Sequence, residues 1–122
     1  MNDLNNIIAR LEKIQKYRVC ICVIYLISEN HGVAFMLRHF LQEYGYGNEV
    51  YGYNFPNIYE PYESKDKNYF ESGIQFYFHD KIQLISNSDF ATLINQFCEA
   101  YIATESKEIN ELINEVIKRF SA

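Results

Sequence analysis

The side chains able to do chemistry are few in this sequence, and their spacing does not organise them for it. The three histidines, His31, His39 and His79, fall in no His-x-x-x-His, Cys/His or Ser/His/Asp spacing. His31 precedes Gly32 where two helical patterns meet, and a local cap or turn accounts for it. His39 lies among helical apolar residues. His79-Asp80 reads as a tight turn, where Asp is ordinary because its side chain bonds nearby backbone. General acid–base work needs a partner and a pocket; the catalytic alternative is a small hydrolase using His79, Asp80 and Glu71. Glu60 and Glu63, three apart in a polar stretch, are a weak match to a glycosidase pair. Cys20, Cys22 and Cys98 are odd in number and share no repeated spacing, so they form no disulfide framework. Cys-x-Cys without a second pair is a poor zinc motif, and the apolar run around it suits buried, inert thiols. Gly45-x-Gly47 lacks the third glycine and the following helix of a phosphate loop. No metal, cofactor or catalytic residue is therefore expected.

What the chain concentrates is phenol and carboxylate. Seven of its eleven tyrosines fall between Tyr44 and Tyr69. Over residues 43–71, six carboxylates (Glu43, Glu49, Glu60, Glu63, Asp66, Glu71) stand against only Lys65 and Lys67. The net charge of −5 disfavours nucleic acid and anionic membrane as partners and suits a basic protein. No run of Lys/Arg interleaved with aromatic residues points to RNA or DNA. Tyrosine offers a large rigid contact area with a hydroxyl at low entropic cost. The candidate docking residues are Glu49, Tyr51, Tyr53, Glu60, Tyr62, Glu63, Asp66, Tyr69 and Glu71. The competing reading is a solvated acidic loop, with the strand tyrosines turned into the core.

The elements that must position these residues follow from periodicity. At 122 residues and 48% hydrophobic content the chain is one domain, residues 1–122, with a real core. Asp3 can cap a helix in which Leu4, Ile7, Ile8, Leu11 and Ile14 recur at helical steps. Val19 to Ile27 is apolar on every side, so periodicity leaves helix and strand open. Its β-branched residues favour strand and its continuity with the flanking pattern favours helix, which is the reading taken, broken over Ser28–Gly32. The run is too short to span a bilayer. A helix from Val33 to Tyr44 stops at Gly45. From Asn48 to Phe55 side chains alternate, with Glu49, Tyr51, Tyr53 and Phe55 on one face of a strand. Residues 57–72 form a polar, acidic loop, and Pro61 argues against an inner strand there. Residues 73–78 and 82–85 make a hairpin around His79-Asp80-Lys81. Ser86 to Asp89 offers caps for a helix through Ile102, and a last helix carries Ile109 to Phe120. The fold class is α+β: a small antiparallel sheet of about three strands, packed with N-terminal helices and two C-terminal helices. The amino terminus shows no basic segment followed by an apolar one, so the expected setting is the reducing cytoplasm.

Taken in order, Gly45-Tyr46-Gly47, the strand ending in Phe55-Pro56, the acidic loop, the Tyr69-Phe70-Glu71 hairpin entry with Gly73-Ile74, the Ser86/Asp89-Phe90 helix start and the final Glu/Lys helix form a familiar series. It resembles the immunity proteins of contact-dependent growth inhibition (CDI) systems, the CdiI type paired with ribonuclease toxins, over Tyr44–Pro56 and Tyr69–Phe120. The resemblance implies a small bacterial protein of no enzymatic activity. Such a protein binds, one to one, the C-terminal nuclease domain of a neighbouring cell's surface exoprotein and covers its basic active-site region. Apart from the resemblance, a cytosolic adaptor or regulatory module binding some other protein stays open.

Overall fold

The computed structural model describes residues 16–58, 69–101 and 106–121. The helix expected from Asp3 and the loop residues Glu60, Tyr62, Glu63 and Asp66 lie outside the described residues. Among the described residues the chain forms four α-helices and a four-stranded sheet: α1 (Arg18–His31), α2 (Val33–Gln42), β1 (Tyr46–Gly47), β2 (Tyr51–Asn54), β3 (Ile74–Phe78), β4 (Lys81–Ile85), α3 (Asn87–Tyr101) and α4 (Lys107–Phe120). The sheet order is β1-β2-β3-β4, antiparallel throughout. This is the expected α+β class with one more strand, the short β1.

The ambiguous run at 19–27 is helix. Cys20, Ile21, Val23, Ile24, Tyr25, Ile27 and Ser28 are all buried, because α1 lies across β3 and β4 and against α2. Burial on nearly every side explains why its sequence lacks a period. The start of α1 has no side-chain cap of its own. Gln83 of β4 supplies one: its Oε1 accepts from the Cys20 N–H at 3.2 Å and its Nε2 donates to the Lys16 carbonyl at 2.5 Å. The helix runs on to His31, and the break falls at Gly32 alone. There φ is 91° and ψ is 154°, a conformation that favours glycine. At the other end of α2, Glu43 rather than Gly45 turns the chain, with φ 55° and ψ 41°. Its carboxylate is held by Arg119 of α4, and Arg38 pairs with Glu108, so two ion pairs tie α2 to α4.

β2 is shorter than the alternation suggested because Asn48 captures the chain first. Its side-chain oxygen accepts from the Val50 and Tyr51 N–H groups at 2.8 and 3.0 Å, making a turn that joins β1 to β2. Gly47 and Gly52 face each other across that ladder, and the Tyr77 side chain lies over them, its hydroxyl donating to the Asn48 carbonyl at 2.7 Å. A Cβ on Gly52 would stand 2.5 Å from that hydroxyl. The glycines of the Tyr/Gly stretch thus make room for an aromatic ring. Ser86 Oγ and Ser106 Oγ cap α3 and α4 by accepting from the Asp89 and Ile109 N–H groups.

One face of the sheet carries the core. Tyr53, Ile74, Phe76 and Ile85 are buried there with Phe40, Phe90, Phe97 and Phe120 from the helices. Phe40 meets Tyr53 at 4.9 Å between ring centroids, and Phe90 meets Phe40 and Phe120 edge-on at 4.9 and 5.0 Å.

Candidate protein-docking face

The tyrosine strand presents its phenols inward, against expectation. Tyr53 pairs with Phe76 across the β2–β3 ladder and shares that buried face, with 1% of its surface exposed. Its ring offers no contact to a partner, and its hydroxyl is buried without a hydrogen-bond partner. Burial raises its pKa well above the usual phenol range. Tyr51, on the same face nearer the end, is half-buried and its hydroxyl accepts from Asn30 of α1 at 3.1 Å. Glu49 is exposed in the β1–β2 turn. Tyr69 is half-buried and Glu71 is exposed just before β3. Tyr51 sits opposite Phe78 at one end of β3, whereas Glu71 precedes its other end. The five residues of β3 put those ends roughly 13 Å apart. The described candidates therefore do not form one cluster: Glu49 and Tyr51 mark one end of the sheet, Tyr69 and Glu71 the other.

Between those ends lies the face of the sheet opposite the core. The two-residue turn His79-Asp80, with His79 at φ 56°, sets Phe78 against Lys81, Tyr77 against Ile82 and Gln75 against Leu84. Ile82 and Leu84 therefore point away from the core, at 52% and 51% exposure. With the Tyr77 ring they make an apolar strip on the outer face, and Val50, 41% exposed, stands at the turn end. Glu49 and Asp80 flank that end, whereas Glu71, beyond the other end, lies near Glu43, Phe55 and Phe120; none of the three forms an ion pair among the described residues. An apolar centre bordered by unpaired charge is how protein-docking surfaces are built.

Residue-type reasoning overlooked Ile82 and Leu84. The turn expected over His79-Asp80-Lys81 is one residue shorter in the structure, with Lys81 in β4, and this two-residue loop fixes the register that sends Ile82 and Leu84 to the side of Gln75 and Tyr77.

The catalytic alternative is not assembled, since His79 and Glu71 lie at opposite ends of β3. Burial favours the protonated thiols. Cys20 and Cys98 are buried, and burial pushes Cys98 up to about 12 and Cys20 higher still. Burial also raises Cys22, partly offset by nearby Arg18. A protonated thiol is neither a nucleophile nor a metal ligand. Among the described residues no group of three His, Cys, Asp or Glu side chains could hold a metal, and no single helix is long and apolar enough to cross a membrane.

A family model described as CDI immunity protein matches residues 12–117, most of the chain. The chain belongs to that family. No curated protein and no solved structure matches it. Membership of this family implies binding of a cognate toxin, for which an exposed surface is the feature required.

Proposed function

We propose that this CDI immunity protein is a non-enzymatic inhibitor that neutralises a basic nuclease toxin in the cytoplasm. It forms a one-to-one complex, seated on the outer face of the sheet, that covers the toxin's active-site region. The observation that carries this reading is the pair Ile82 and Leu84, side by side and half exposed on the sheet face turned away from the core. The charge argument supports the partner class. A nuclease needs a cationic groove for phosphate. A chain of net charge −5 with unpaired Glu49, Asp80 and Glu71 is steered to such a groove quickly. Tyr51 faces the core side of the sheet and stands outside this surface, while Tyr69, Glu60, Tyr62, Glu63 and Asp66 join the proposal on charge and residue type. A stable contact covers on the order of 800 Å² per partner, with a few anchors dominating its energy.

The test is calorimetric titration with the toxin domain encoded immediately upstream. Replacing Ile82 and Leu84 together by Asp should weaken binding by two orders of magnitude or more, about 3 kcal/mol, with the circular dichroism spectrum unchanged. Reversing Glu49, Asp80 and Glu71 to Lys should slow association and flatten its salt dependence. Wild-type affinity in the first variant would show that the outer face is not the docking surface.

A further inference from the structure

Resting on the reading that the toxin docks on the outer face, we propose that it does so by adding a strand. An extended, aliphatic-rich segment of the toxin pairs with the free edge of β4 through the backbone groups of Ile82 and Leu84.

The phase of the ladders makes those groups available. The His79 N–H donates to the Val50 carbonyl at 2.6 Å, at the head of the β2–β3 ladder. In an antiparallel pair, hydrogen-bonded and non-hydrogen-bonded residues alternate. Tyr77 and Gln75 therefore turn their backbone groups toward β2, and Phe78, Phe76 and Ile74 turn theirs toward β4. The β4 partners of these last three are Lys81, Gln83 and Ile85. Ile82 and Leu84 are left with N–H and C=O groups directed away from β3, at the outer edge of the strand that ends the sheet among the described residues. The same two residues carry the bare side chains.

Proteins guard an open edge with charge, proline or a bulge, since an unguarded one is a template for another strand. Lys81 stands at one end of β4, but Ile82 to Ile85 contains no charge and no proline, and the register with β3 runs without interruption. Strand addition uses such an edge: main-chain hydrogen bonds give affinity, and alternate side chains give specificity. The outward backbone groups and the outward aliphatic side chains of β4 lie at the same two residues. An incoming strand engages both at once, and a cationic residue at its end would meet Asp80.

The experiment is amide hydrogen exchange on the full chain, alone and with the purified toxin domain, together with two variants. On binding, the Ile82 and Leu84 amides should slow by tenfold or more. Leu84→Pro removes an N–H that the β3 ladder does not use, and should weaken binding at least tenfold. Leu84→Ala keeps that N–H and should weaken it less. Should Leu84→Pro not fold, the exchange result on the native chain decides. A complex that forms while both amides exchange as in the free protein overturns strand addition and leaves docking on this face standing. Failure of the native chain to bind overturns docking, and strand addition with it. Protection of both amides in the free protein, with a dimeric mass by light scattering, would assign the edge to a second copy of this chain and overturn the proposal.

Discussion

Tyr53 shows how misleading a residue type is without its environment. A tyrosine in a strand beside an acidic loop reads as a contact residue, yet its ring sits among Phe40, Phe55 and Phe76 with a hydroxyl that nothing accepts. A buried polar group left unpaired costs about 1–3 kcal/mol. Tyr53→Phe keeps the ring and removes that cost. The urea midpoint of the variant should equal or exceed that of the native protein, by up to about 1 kcal/mol in stability, and toxin affinity should not change. A fall in the midpoint would reveal a partner for the hydroxyl. Tyr77 is the opposite case: its hydroxyl is bonded to the Asn48 carbonyl and its ring lies over Gly47 and Gly52.

At the level of elements, Gln83 joins β4 to the helix beneath it. With no local cap at the start of α1, this one side chain satisfies a donor and an acceptor across more than sixty residues of sequence. Loss of a cap typically costs about 1 kcal/mol. Gln83→Ala should lower the thermal midpoint by that order and speed amide exchange in the first turn of α1, whereas Gln83→Glu, which keeps the acceptor, should lose less. Such a contact is invisible in sequence, because nothing local to Gln83 or Cys20 announces it. Other elements were legible: the hairpin, read over 73–78 and 82–85, the helix start at Ser86 and the last amphipathic helix each obey a local rule. What local rules left open was decided by tertiary packing. The all-apolar run became helix through burial on every side, and the Tyr/Gly strand turned its rings inward because Phe76 lies opposite Tyr53. The candidate docking face was half legible: its acid is plain in the composition, while its aliphatic centre required the register.

For the whole molecule, buried acids of high pKa set the response to alkali. Tyr17 is pushed up to about 12, chiefly by the hydrogen bond its hydroxyl donates to Asp89 at 2.5 Å, and Cys98 to about 12 by burial. Cys20, Cys22, Tyr53 and Tyr77 are shifted in the same direction by desolvation. The unfolded chain gives up these protons near the ordinary values, 9.0 for thiols and 10.0 for phenols, while the folded chain keeps them. Their contribution is thus complete below pH 9 and is lost as the pH rises toward the folded values. The urea midpoint should hold steady from pH 7 to about 9 and then fall continuously to pH 11; a midpoint that rises across that interval would contradict the buried, protonated state of these groups.

The sheet has two sides with separate duties. Tyr53, Ile74, Phe76 and Ile85 are committed to the helices, and a change there is felt throughout the core. Ile82 and Leu84 take no part in that core. Their identities can drift without unfolding the domain, so a lineage facing an altered toxin has positions at which to follow it. On the proposed docking mode, recognition is rewritten on one side of a single strand while the architecture behind it is inherited intact.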